Sequence, residues 1–80
     1  MNITIYTKSG CPNCVTAKQL LKSKGLEYTE LDVQSPQHEL AFALLITETP
    51  SARQLPQIFI NKQRVGGLAG LQAALKQLGV

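Results

Sequence analysis

Eighty residues, 44% of them hydrophobic and 16% charged, form one domain with room for a single modest core. The composition excludes a disordered or low-complexity chain, and no apolar run is long enough to span a bilayer. The net charge of +3 comes from eight basic and five acidic residues that are scattered apart from a loose group at Lys18, Lys22 and Lys24, without the basic stripe interleaved with aromatics that marks a nucleic-acid binder. A mildly basic face suits small anionic thiols or an acidic protein partner, and a solvated surface accounts for it more simply.

The start, Met1-Asn2-Ile3-Thr4-Ile5-Tyr6, alternates apolar and polar residues and lacks the basic and long apolar regions of a signal peptide, so a soluble cytoplasmic protein is expected. Asn2 to Tyr6 predicts a short strand, and Thr7 to Gly10 a loop. Pro12 suits the first position of a helix, where its missing N–H would be unpaired anyway. Cys14, Ala17, Leu20 and Leu21 give that helix one apolar face, and Gly25 ends it. Leu26 to Val33 predicts a second strand. Ser35-Pro36 reads as a cap and first-position proline for a helix running to about Thr47, closed off ahead of Pro50. Pro56 opens a third strand, Gln57 to Ile60; Asn61-Lys62 reads as a hairpin turn, with Lys62 a poor turn residue; and Gln63 to Val65 forms a fourth strand, broken by Gly66-Gly67. Leu68, Leu71, Leu75 and Leu78 mark the buried stripe of a last helix, too short for a coiled-coil seam. The order βαβαββα requires a parallel pair in its first half.

The two cysteines, Cys11 and Cys14, sit in Gly-Cys-Pro-Asn-Cys between the first strand and the first helix. As a staple the pair would close a tiny loop and remove little unfolded-state entropy. As a metal site it is incomplete, because structural zinc takes four ligands and the other soft donor, His38, stands alone in a predicted helix. Redox chemistry fits best: exchange needs a thiolate that attacks and a thiol that resolves the mixed disulfide. At a helix N-terminus Cys11 faces the positive end of the dipole and unpaired N–H groups, which favour the thiolate. Cys14 lies one turn further in and is expected to be more buried.

"CPNC" after "ITIYTKSG", then "LPQIFI", then "VGG", resembles the glutaredoxin family over nearly the whole chain, in both order and spacing. The resemblance implies a thioredoxin fold, a four-stranded mixed sheet flanked by three helices. It implies that Cys11 is the nucleophile, that Cys14 resolves protein disulfides, and that Cys11 alone suffices with glutathionylated substrates. Glutathione is then a co-substrate, and no resident metal is expected. The family's usual C-P-Y-C becomes C-P-N-C, so Asn13 removes an aromatic wall, and its plain alternative is an exposed first-turn residue. Lys8 matches a lysine that pairs with a glutathione carboxylate; a solvated loop lysine is the alternative. Gln54-Leu55-Pro56 takes the place of T-V-P, with a cis proline against the disulfide and Leu55 offering its backbone to glutathione as an added strand. Arg53 could meet a carboxylate, or be a solvated charge. Together with Pro12 beside the nucleophile, these residues form the expected glutathione groove.

The departure lies in Gly66-Gly67-Leu68-Ala69-Gly70. The family continues Gly-Gly with an aspartate that meets the γ-glutamyl amino group. Gly66, Gly67 and Leu68 still offer backbone N–H groups at a helix start, but no acid follows, and the helix loses a good cap. The leading reading is a monomeric, glutathione-dependent oxidoreductase for protein disulfides and glutathione mixed disulfides, with ribonucleotide reductase among its candidate substrates. The alternative is a glutaredoxin-like electron donor to ribonucleotide reductase that is itself reduced by thioredoxin reductase. An iron–sulfur carrier bridged through Cys11 and glutathione, and a pure binding module, rank lower.

Overall fold

The computed structural model describes residues 1–50 and 54–80. In chain order the elements are β1 (Ile3–Thr7), α1 (Pro12–Ser23), β2 (Thr29–Asp32), α2 (Pro36–Glu48), β3 (Gln57–Ile60), β4 (Gln63–Gly66) and α3 (Leu68–Leu78). The strands form one mixed sheet in the order β2-β1-β3-β4. β1 runs parallel to β2 and antiparallel to β3, and β3 runs antiparallel to β4. This is the arrangement the sequence leads one to expect.

Alternation along β1 sorts the two faces. Ile3 and Ile5 are buried with Ile58 and Ile60 of β3 against Ala17 and Leu21 of α1 and Leu71 and Leu75 of α3. On the opposite face Tyr6 meets Phe59 edge-on, with ring centroids 5.9 Å apart, and Phe42 of α2 at 6.2 Å. Thus α1 and α3 share one side and α2 covers the other. Leu40 and Leu44 of α2 remain exposed. No helix among the described residues is long and apolar enough to cross a membrane.

Four expectations need correction. β1 extends one residue beyond Tyr6, because Thr7 is buried and hydrogen-bonded to β2. The second strand is shorter than Leu26 to Val33: the Leu26 N–H bonds to the Leu21 carbonyl and the Gly25 N–H to that of Lys22, so Leu26 closes α1 instead of opening β2. Gly25, at φ 69°, supplies the left-handed residue this closure requires. Ser35 holds the N-cap position of α2 without a side-chain cap bond. Leu78 is 52% exposed, so the apolar stripe of α3 ends at Leu75. The Asn61-Lys62 turn forms as expected, both residues at positive φ (52° and 70°), as a two-residue hairpin loop demands.

A polar tie joins α1, β1 and β2. Glu30 Oε2 accepts from Thr7 Oγ1 at 2.6 Å and from Lys18 Nζ at 2.9 Å. The Thr7 hydroxyl first, and then Lys18, hold the Glu30 carboxyl below its ordinary 4.5. A depressed carboxylate contributes stability fully above its unfolded pKa and loses it as pH falls through the folded value. The side chain is 38% exposed, so screening discounts the effect. Glu30→Gln is therefore expected to cost about 0.5–1 kcal/mol at neutral pH. The gap from wild type should close as pH drops below 4.5, which urea unfolding at neutral and acid pH measures.

Candidate active site

The loop between β1 and α1 is held from the side. Ser9 donates to Gln34 Oε1 through both its Oγ, at 2.8 Å, and its backbone N–H, at 3.2 Å. The Val33 N–H bonds the Thr7 carbonyl at 2.9 Å. Lys8 lies exposed in this loop. Gly10, at φ 73°, turns the chain into Cys11.

Cys11 is the N-cap of α1, with extended φ and ψ of −108° and 101°, and Pro12 follows in the first turn. The Cys14 N–H donates to Cys11 Sγ at 3.2 Å, so the sulfur occupies the place of a capping oxygen. The two cysteines are joined as a disulfide with Cα atoms 5.3 Å apart, inside the usual span. Cys11 is 8% exposed and Cys14 only 1%, so the outer sulfur is the one a substrate reaches, as expected from their order on the helix. Asn13 is exposed.

Across from the sulfurs, Leu55-Pro56 is joined by a cis peptide bond, as the resemblance implies. The Leu55 carbonyl oxygen lies 3.7 Å from Cys11 Sγ. Pro56 is buried. Beside it opens a cleft of about 340 Å³ between the start of α1, the segment around Pro56 and the start of α3. Asn13, Gln54, Leu55, Pro56, Gly67 and Leu68 all line it, so most of the residues assigned to the groove do come together. Lys8, Pro12 and Gly66 are not part of this lining, and Arg53 lies outside the described residues. Gly66, at φ 97°, makes the turn from β4 into α3, a conformation that favours glycine. Gly67 caps α3 with backbone only.

Four lining residues went unassigned in the sequence: Ala69 and Gly70 at the start of α3, and Gln57 and Arg64 on the strands. Gln57 is only 2% exposed; its Nε2 donates to the Gln54 carbonyl at 2.5 Å and its Oε1 accepts from Arg64 Nε at 3.0 Å. The available signal was a charged residue inside the short strand that leads into Gly-Gly. Among the described residues no group of three or more His, Cys, Asp or Glu side chains is placed to hold a metal ion.

A two-cysteine disulfide at a helix N-cap, facing a cis-proline segment on a four-stranded mixed sheet, is the site of a thiol–disulfide oxidoreductase of thioredoxin-like fold. The glutaredoxin family profile matches residues 3–65. Glutaredoxin 1 of Rickettsia bellii is 41% identical over 66 residues, covering 81% of this chain and 67% of that protein. Glutaredoxin 3 of Escherichia coli K12 is 39% identical over 72 residues, covering 90% and 83%. The crystal structure of Francisella tularensis glutaredoxin 1 in complex with cacodylate superposes with a TM-score of 0.77 at 30% identity, over 99% of this chain and 98% of that one. The chain belongs to the glutaredoxin family and is a thiol–disulfide oxidoreductase working through the Cys11/Cys14 pair.

Proposed function

We propose that this glutaredoxin acts as a single-domain cytoplasmic reductase, fed by glutathione, for protein disulfides and glutathione mixed disulfides. Cys11 is the nucleophile. Its thiolate attacks one sulfur of the substrate disulfide, that S–S bond breaks, and the other sulfur leaves as a thiolate. Cys14 then attacks the Cys11 sulfur, forming the intramolecular disulfide and releasing the second substrate thiol. Two electrons pass from the protein to the substrate, and two glutathione molecules return them. With a glutathione mixed disulfide Cys11 takes the glutathione, and a second glutathione releases it.

The observation that carries this reading is the position of Cys11 Sγ. The sulfur already accepts a backbone N–H bond at the helix N-cap, so negative charge on it is supported from the protein side. It also stands beside the Leu55 carbonyl at the cleft, where an extended substrate strand can pair with backbone. Lys8, Arg53 and the backbone N–H groups of Gly66, Gly67 and Leu68 are the groups assigned to the carboxylates of glutathione. Ribonucleotide reductase is the protein substrate carried over from the resemblance.

A second reading has one observation in its favour. No acidic side chain lines the cleft among the described residues, since Leu68 and Ala69 stand at the start of α3. An amino group there would meet no carboxylate, which fits an electron donor reduced by thioredoxin reductase. The deciding measurement is NADPH consumption during reduction of a glutathione mixed disulfide. Electrons come either from glutathione with glutathione reductase or from thioredoxin reductase. Turnover with the first couple is expected; turnover with thioredoxin reductase alone would replace the first reading by the second.

A further inference from the structure

Among the described residues, Arg64 is the one charged side chain on the cleft lining; the others there are amides, apolar side chains and glycines. The register explains how it gets there. Arg64 lies opposite Phe59, and Gln57 lies two residues before Phe59 on the same face of β3. Arg64 and Gln57 are therefore diagonal neighbours, a spacing that a long side chain bridges. The bridge is the bond from Arg64 Nε to Gln57 Oε1. Gln57 is buried, and its other amide end is committed to the Gln54 carbonyl, so the amide cannot flip without breaking both bonds. Arg64 is itself exposed, and its Nε is tied to this buried amide, so the bond places its charge along the cleft wall.

We propose that Arg64 is a specificity-determining residue: the cleft selects disulfide substrates that carry a carboxylate beside the reacting half-cystine over those that carry an ammonium there. This rests on the exchange reading above and names the substrate class for it. A carboxylate beside the half-cystine is drawn to the Arg64 cation, whereas an ammonium is repelled and, among the described residues, finds no acidic side chain on the lining. The attraction acts on docking and on the transition state for sulfur attack alike, so it appears in the second-order rate constant.

The test uses three blocked peptides that differ only in the residue before the cysteine: glutamate, glutamine or lysine. Each is linked through its sulfur to a nitrobenzoate thiol. Pre-reduced protein is mixed with each peptide in a single turnover. Cys11 attacks the peptide sulfur, the aryl thiolate departs with the electron pair of the broken S–S bond and is read by absorbance, and Cys14 then displaces the peptide thiol. The glutamate peptide should react about tenfold faster than the lysine peptide at low salt, with the ratio shrinking at high salt. Arg64→Gln should bring the ratio close to one, and Arg64→Glu should invert it. Each variant's own reaction with the glutamine peptide serves as its reference, so a general loss of folding does not mimic the effect. Equal rates for all three peptides in the wild type, or a ratio that Arg64→Glu leaves unchanged, would overturn the proposal while leaving the exchange chemistry intact. No aryl thiolate release with any peptide would overturn both.

Discussion

Cys11→Ser is expected to lower reduction of protein disulfides and of glutathione mixed disulfides by about a thousandfold or more, to the level of the uncatalysed exchange. A serine hydroxyl does not ionise in the accessible pH range and forms no S–S bond, so neither the mixed disulfide nor the intramolecular disulfide can arise. The substitution isolates the chemistry unusually well. Cys11 occupies an N-cap position and its sulfur accepts the Cys14 N–H. Serine is among the preferred N-cap residues, so α1 keeps its cap and the variant should fold at least as well as the reduced wild type. Cys14→Ser separates the two routes. Without a resolving thiol, protein disulfides trap the enzyme as a mixed disulfide, and that activity should fall by about a hundredfold or more. Glutathione mixed disulfides need only Cys11, and their turnover should stay within about tenfold of wild type. Both assays follow NADPH through glutathione reductase. Full protein-disulfide activity in Cys14→Ser would remove the resolving role from that residue.

The elements that could be read from the sequence are those decided by local chemistry. The strand before Cys11, the proline after it and the helix beyond follow from β-branched alternation, a first-position proline and a Gly25 that only a helix end would want. The Asn61-Lys62 turn is similar, since an asparagine straight after the apolar strand Gln57–Ile60 favours the positive φ of a two-residue loop. Readings failed where tertiary contacts overrule the local pattern. Leu26 looks like the first residue of a strand, yet its N–H is taken by Leu21. Leu78 continues the spacing of Leu71 and Leu75, yet it is 52% exposed in the last turn of α3. At the site, Cys11, Cys14, Leu55 and Pro56 could be placed because the motif carries them. Gln57 and Arg64 could not, because a polar residue within a strand reads as solvent-facing. What makes Gln57 a buried clamp is its pairing opposite Tyr6 on one side and the diagonal reach of Arg64 on the other, and neither is a property of a short window of sequence.

Gly70→Ala is expected to destabilise the protein by roughly 3 kcal/mol or more, opposite in sign to the ordinary effect of this substitution in a helix. Alanine is normally preferred to glycine inside a helix by about 1 kcal/mol. Here the added Cβ would run into the carbonyl oxygen of Val65 and would lie 2.9 Å from its carbonyl carbon. Both are backbone atoms, so no rotamer change relieves the overlap. Val65 is also the extra residue where the β3–β4 register shifts, between the pairs Ile58–Gly66 and Phe59–Arg64. The start of α3 must therefore move away from β4. Against a total stability of about 5–15 kcal/mol, with small domains near the lower end, that loss leaves little margin. The urea midpoint should drop accordingly, and the melting temperature by more than about 12 °C. Ala73→Gly, at an exposed position of the same helix, should cost only about 1 kcal/mol and supplies the contrast. Because Gly67, Leu68 and Ala69 line the cleft just ahead of Gly70, whatever Gly70→Ala protein remains folded should also show a raised KM for glutathione mixed disulfides with kcat less affected. A Gly70→Ala protein as stable as wild type would mean that α3 can shift on β4 at little cost, and the close approach would then have no part in shaping the cleft.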